Sequence, residues 1–115
     1  MISNNIQMLR TAGVIEMLVY LHDHLEGRRK VDIRVECGLN PTTAIKAHKI
    51  LLYNGLIRGI IYKNATAYEL TEQGLLIAKL LQGIKRKMEN IEPTDKIKFE
   101  IIGRNFKFNT DIKDE

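Results

Sequence analysis

The sequence has few of the residues that form disulfides, rigid turns and membrane spans. Its 115 residues include one cysteine, two prolines and no tryptophan. A single cysteine excludes an internal disulfide, which fits a reducing compartment, and we expect a cytoplasmic protein. No apolar run approaches the length that spans a bilayer, and the first residues lack the pattern of a signal peptide. We therefore expect no membrane partner.

The patterns that carry catalysis and metal binding are missing as well. The side chains of His22, His24, His48 and Cys37 do not follow the ligand spacing of zinc sites. No P-loop, glycine-rich dinucleotide motif or Ser/His/Asp arrangement is present. We expect no catalytic residue, no metal and no cofactor, and predict that the protein is not an enzyme. Cys37 is predicted to be a buried structural thiol.

Positive charge is concentrated in one part of the chain. The net charge is +4, but residues 28–63 contain eight basic and two acidic residues, a local charge of +6. The rest of the chain has ten basic and twelve acidic residues, a charge of −2. A basic block of this kind is typical of a surface that contacts phosphates.

The hydrophobic periodicity predicts a mainly α domain with a small β-hairpin (α+β) at residues 1–91. Helices are predicted at 12–26, 33–37, 41–54 and 71–91, with an extra helical turn within 4–10. Thr11 and Asp32 are the expected N-caps of the first two, and 28–31 is expected to be extended. The strands are predicted at 56–62 and 67–70, with a turn at 63–66. The extension at 92–115 is predicted to be a second hairpin, within 96–108, followed by a frayed tail.

Two of these helices carry predictions about packing. The helix at 12–26 is expected to bury Val14, Ile15, Leu18, Leu21, His22 and Leu25. The helix at 71–91 has a broad apolar arc formed by Leu75, Leu76, Ile77, Leu80, Leu81, Ile84 and Met88. This arc is wider than one small core needs, so we expect a homodimer through residues 12–26 and 71–91.

The boundaries of the third helix are the best specified. Asn40 is a good N-cap, and Pro41 suits the first helical position because its missing N–H would have no partner there. Gly55 is expected to end the helix. Ala44, His48 and Leu51 mark its inner face, so Lys46 and Lys49 are expected to point away from the core.

Two linked motifs carry a family resemblance. The third helix ends in Asn54-Gly55-Leu56-Ile57, and the second strand enters the last helix through Tyr68-Glu69-Leu70-Thr71-Glu72-Gln73-Gly74. Over residues 12–82 the chain resembles the winged helix-turn-helix family of small bacterial and archaeal regulators, including the multiple-antibiotic-resistance and arsenic-repressor types. The resemblance implies a winged helix-turn-helix fold in which the third helix enters the major groove of double-stranded DNA.

The expected DNA-binding residues fall into three groups. At the start of the third helix, hydroxyls and amines are placed to reach base edges or phosphates. In the wing, which is the hairpin, side chains are expected along the DNA backbone. The basic loop before the second helix either touches a flanking phosphate or pairs with Asp23 and Glu26. The predicted residues are Thr42, Thr43, Lys46 and Lys49, then Arg58, Tyr62, Lys63 and Asn64, and lastly Arg28, Arg29 and Lys30.

These features predict a sequence-specific, DNA-binding transcriptional regulator, a repressor that acts as a dimer. Two alternatives stay open. The same fold serves as a protein-interaction module of the transcription or replication machinery, although the basic block argues against it. A non-specific, chromatin-type DNA binder would share every feature described so far.

Overall fold

A computed structural model describes residues 6–91 of the chain. The chain divides into two compact units, residues 1–83 and residues 84–115. The extension predicted at 92–115, including the hairpin at 96–108, lies outside the described residues. Within the described part, no helix is both long and apolar enough to cross a membrane.

The order of elements is the predicted one, and the fold class is confirmed. A short 3-10 helix is followed by three α-helices, a two-stranded antiparallel sheet and a fourth helix. The bounds are Ile6–Arg10 for the 3-10 helix, Val14–His22 for α1, Lys30–Glu36 for α2, Pro41–Tyr53 for α3, Ile57–Tyr62 for β1, Ala65–Leu70 for β2 and Glu72–Glu89 for α4.

Helix α1 is shorter than predicted at both ends. Its N-cap is Gly13, at φ 91°, and no side chain caps it, so Thr11 is not the cap. It ends at His22 because the chain turns towards β2, where Arg28 and Tyr68 exchange backbone hydrogen bonds of 3.0 and 2.8 Å. Ile15 and Leu25 were expected inside but are exposed. Met17, which the prediction left out, is buried.

Helix α2 begins earlier than predicted. Its N-cap is Arg29, so Lys30 and Val31 are helical, and the expectation of an extended segment is wrong beyond Arg29. Asp32 lies in the first turn and accepts from Arg29 Nε at 3.1 Å instead of capping the helix. Because the Asp32 carboxylate is paired with Arg29, it does not serve as the cap, and the helix begins before it.

Helix α3 confirms the prediction made from its caps. The Asn40 side chain accepts from the Thr43 N–H at 2.9 Å, and Pro41 occupies the first turn. At the other end Gly55 has φ 71°, and the Leu56 N–H donates to Leu51 O at 2.9 Å. A left-handed residue closed by such a bond is a common way to end a helix.

The wing is tighter than predicted. Strands β1 and β2 pair from Ile57 with Leu70 to Tyr62 with Ala65. The turn is therefore the two residues Lys63 and Asn64, at φ 50° and 63°, and not four residues. Two successive positive φ angles define the turn whose twist matches a β-hairpin, and asparagine tolerates them. The wing tip consequently has little reach.

The two motifs that carry the family resemblance meet in space. Thr71 donates its hydroxyl proton to Gly55 O at 2.6 Å and its N–H to Leu56 O at 3.0 Å. The same hydroxyl accepts from the Gly74 N–H at 3.1 Å, which caps the start of α4. A Cβ on Gly74 would lie 1.9 Å from Leu56 O, so only glycine fits there. The end of α3 is thus joined directly to the start of α4.

The core lies between α1, α2, α3 and the base of the hairpin. Its largest fully buried side chains are Leu18, Leu21, Ile33, Leu51 and Val14. Helix α4 approaches this core with Gly74, Ala78 and Gln82, and Gln82 donates to Asp23 Oδ1 at 2.8 Å.

The broad apolar arc predicted for α4 is only partly its inner face. The small residues at Gly74 and Ala78 allow the helix to lie close to the core. Ile77 and Leu81 pack partly buried against that core. In this first unit the remaining large residues of the arc, Leu75, Leu76 and Leu80, are exposed. The described part of the second unit, residues 84–91, exposes Ile84 and Met88.

Candidate nucleic-acid interface

The outer face of α3 carries two lysines that have no internal partner among the described residues. Thr42, Lys46 and Lys49 are exposed on this face, and Thr43 is half-buried. The side chains of Lys46 and Lys49 make no hydrogen bond or ion pair with any described residue. The sequence contains no aspartate or glutamate between Glu36 and Glu69, so α3 itself has no carboxylate to offset them. Their full charge is available to an anion.

A polar cleft of about 520 Å³ opens beside the start of α3, and part of its lining was not predicted. Thr42, Thr43 and Lys46 form one side, and Arg10 and Thr11 form part of the other. Because Pro41 has no N–H and Thr43 donates to Asn40, the Thr42 N–H is the first-turn donor of α3 left without a partner among the described residues. Arg10 lies far from the basic block in sequence, and only the fold brings it here.

The arginine of the wing has an internal partner. Arg58 Nε lies 2.7 Å from Glu69 Oε2, directly across the strand pair. This contact is exposed on the arginine side, but it offsets the charge that the wing presents. At the tip, Lys63 Nζ lies 5.3 Å from the centroid of the Tyr62 ring, a cation–π contact, and Asn64 is exposed.

The basic loop is also largely paired. Arg28 contacts Glu26 Oε2 at 2.6 Å and His24 Nδ1 at 3.1 Å, so the pairing with Glu26 that was one of the two alternatives is present. A hydrogen bond with Tyr20 and the Glu26 charge raise the pKa of the Arg28 guanidinium, although burial opposes them. Asp23 accepts from Gln82 and has no contact with the arginines. Lys30, the third cation of this group and the first residue of α2, has no ion pair within residues 6–91.

The fold groups the predicted residues into clusters. Arg28, Arg29, Tyr62 and Lys63 line one cleft of about 240 Å³ between the wing tip and the start of α2. A second, apolar cavity of about 250 Å³ places Lys30 beside the inner edge of α3. Arg34, a half-buried cation that the prediction did not single out, also lines this cavity. Its position within the basic block was the available signal.

Two titratable side chains that pack in or against the core, His48 and Cys37, are held neutral. His48 is buried, with its ring edge-on to Tyr68 at a centroid distance of 4.3 Å. Burial, and to a lesser extent the Lys30 charge, lowers the pKa of His48 to about 4. Cys37 is half-buried, and burial with the nearby Glu16 and Glu36 charges raises the pKa of its thiol to about 11. No cluster of three metal-ligating side chains occurs in the described residues.

Three packed helices, a capped outward-facing α3 and a two-stranded wing define the winged helix-turn-helix fold. Solved structures share it. SSV1 F-93 is 24% identical over 70% of this chain and 92% of its own, with a TM-score of 0.59. The S. aureus MepR–DNA complex is 22% identical over 80% of this chain and 78% of its own, also at 0.59.

A further structure of MepR is described as a transcription regulator of the Staphylococcus aureus multidrug efflux pump MepA. It is 18% identical over 77% of this chain and 71% of its own, with a TM-score of 0.59. No protein-family model and no curated protein sequence matches the chain. At these identities the likeness establishes the fold.

Proposed function

We propose that this protein is a sequence-specific, double-stranded DNA-binding transcriptional regulator that acts as a homodimer and represses. The observation that carries the proposal is the outer face of α3, where Lys46 and Lys49 have no internal partner. A helix of this width fits the major groove, and its first turns reach base edges. The S. aureus MepR–DNA complex, which has this fold, also supports the proposal of DNA binding.

The contacts of the proposed interface differ in kind. Thr42, Thr43, Lys46 and Lys49 would face the groove, while Arg10 beside them would meet a flanking phosphate. The wing residues Arg58, Tyr62, Lys63 and Asn64 would lie along the DNA backbone. Arg28, Arg29 and Lys30, at the start of α2, would lie along it as well. Arg28, Arg29 and Arg58 already have carboxylate partners, and of the proposed arginines only Arg10 has none among the described residues. We therefore expect α3 to supply most of the affinity for DNA.

The proposed dimer rests on the exposed apolar face of α4. Leu76 and Leu80 are 62% and 71% exposed, and their four-residue spacing places them on one side of the helix. On α1, Ile15 is exposed as well. Two half-sites read by two copies would compensate for the small interface of one domain. Light scattering at micromolar concentration should give twice the mass of one chain; a monomer, both free and on DNA, would contradict the dimer.

The experiment that tests the function is selection of bound sequences from a random duplex pool. A sequence-specific dimer should enrich a palindrome whose half-sites lie about one helical turn apart. Uniform binding to all duplexes would instead indicate a chromatin-type binder, and no binding would indicate a protein-interaction role. Repression is then tested by transcription in vitro from a promoter that contains the selected site, where the protein should lower the yield of transcript.

A further inference from the structure

Ile45 is an apolar side chain on the outer face of α3 for which the core gives no reason. It is 48% exposed, whereas its neighbour Ala44 and the following Ala47 are buried in the core. β-branched residues also slightly disfavour helices, so Ile45 does not help α3 to form. A large, exposed apolar group at the edge of a basic, polar face therefore indicates an external contact.

The position of Ile45 limits what that contact can be. Thr42, Ile45, Lys46 and Lys49 follow the i, i+3, i+4, i+7 spacing of a single helix face, in the first two-thirds of α3. Side chains in this part of a groove-binding helix reach base edges. The isoleucine side chain has no group that can bind a phosphate, and Lys46 and Lys49 both lie to one side of it around the helix axis.

The space next to Ile45 is apolar too. Met17, Val31, Pro41 and Ala44 line the cavity of about 250 Å³ that Ile45 borders. Val31, on α2, is 48% exposed like Ile45. Lys30, Arg34 and His48 complete this lining. An apolar group placed against Ile45 would exchange water for contact with the apolar side chains.

Among the four bases, thymine alone presents an apolar group in the major groove, its C5 methyl. We propose that Ile45 determines sequence preference by contacting thymine methyl groups, so that each half-site of the bound DNA contains a required thymine. This inference rests on the proposed function of α3 as the DNA reader, and it adds which base chemistry the helix selects.

The test combines a protein variant with a base analogue, using the full chain and the duplex selected from the random pool. Replacing thymine by deoxyuridine removes the methyl and keeps every base-pair hydrogen bond. Dissociation constants are measured for the parent protein and Ile45→Ala, each on the thymine and the deoxyuridine duplex. Leu52→Ala is the matched control, because Leu52 is 39% exposed on the last turn of the same helix.

The parent protein should bind the deoxyuridine duplex about fourfold more weakly for each methyl contacted, the value expected for burying one methyl-sized group. Ile45→Ala should bind both duplexes equally, and Leu52→Ala should keep the full difference. Circular dichroism confirms the fold of each variant, which alanine in an exposed helical position should preserve.

Three outcomes would overturn the assignment of Ile45. The selected half-site contains no thymine, the deoxyuridine duplex binds as well as the thymine duplex, or Ile45→Ala still distinguishes the two. In each case DNA binding itself stands, and Ile45 is left as a contact for a protein partner. If the selection recovers no bound duplex at all, the proposed function fails together with this inference.

Discussion

Two basic regions of this molecule differ in how their charges are balanced. On α3, Lys46 and Lys49 extend from a helix that has no carboxylate. In the wing and the preceding loop, Arg58, Arg28 and Arg29 each contact a carboxylate at 2.6 to 3.1 Å. An ion pair already made must be broken or shared before DNA gains from it. The number of basic residues therefore overestimates the positive charge that the second region offers to DNA, whereas on α3 it gives that charge correctly.

The largest expected effect comes from removing both free lysines. Lys46→Ala and Lys49→Ala should each weaken binding to the selected duplex by about 1–3 kcal/mol if the amine reads a base. A lysine that contacts only phosphate would weaken binding to every duplex alike, and its removal would lower the salt slope by about 0.9. Fluorescence anisotropy at several salt concentrations separates the two cases.

Lys79→Ala is the control for this pair, because Lys79 is an exposed lysine on α4 without an ion pair among the described residues. It should leave the affinity unchanged. A double α3 variant that loses no more affinity than Lys79→Ala would show that α3 is not part of the interface.

The inner side of α3 should make the fold sensitive to acid. The folded pKa of His48, about 4, lies below its usual 6.5, so the unfolded chain binds a proton first. Stability is therefore complete above about pH 6.5 and falls as the pH drops towards 4, by roughly 2–3 kcal/mol. Urea unfolding across this range measures the loss. The free energy of unfolding of His48→Leu should change less with pH over the same range. A variant whose stability falls as steeply as that of the parent would show that His48 is not the group responsible.

The wing gives a smaller effect of the opposite sign. Glu69→Gln keeps the size of the side chain but removes the charge that faces Arg58. Binding to DNA should become stronger by up to about 1 kcal/mol, because exposed ion pairs contribute no more than that. The salt slope should steepen by about 0.9 if Arg58 then meets a phosphate. Unchanged affinity and slope would show that Arg58 lies away from the DNA.

Arg28 should have the smallest effect on binding. Its contacts with Glu26 and His24 hold the turn between α1 and α2. Arg28→Ala should therefore lower the free energy of unfolding only slightly and change the DNA affinity less than either α3 lysine does. Urea unfolding and anisotropy on one preparation test both statements. A loss of affinity as large as that of Lys46→Ala would show that the paired arginine still serves the DNA.

The features predicted correctly from the sequence are those decided by neighbouring residues. Asn40, Pro41 and Gly55 set the ends of α3 through local capping, and these ends were found as expected. The end of α1 depends on the backbone bridge from Arg28 to Tyr68, 40 residues further along the chain. The apolar periodicity continues to Leu25 and therefore predicts a longer helix, because it contains no information about that bridge.

The candidate site shows the same division. The outward direction of Lys46 and Lys49 follows from helical periodicity, so the sequence was enough to place them. The partner of Arg58 is Glu69, which is opposite only once the register of the hairpin is known. Arg10 lines the cleft at the start of α3 because the 3-10 helix that carries it packs against α1. For Arg58, pairing across two strands decides that the cation is not free.

The joint at Thr71 has a mechanical consequence. One hydroxyl serves both the end of α3, through Gly55 O, and the first turn of α4, through the Gly74 N–H. Because Gly74 packs directly against Leu56 O, the start of α4 cannot move independently of the end of α3. A rotation of α4 must either move the C-terminal end of α3 as well or break these hydrogen bonds. If α4 forms the dimer, a change in the angle between the two copies would change the distance between their α3 helices. That distance must match the spacing of the two half-sites on DNA.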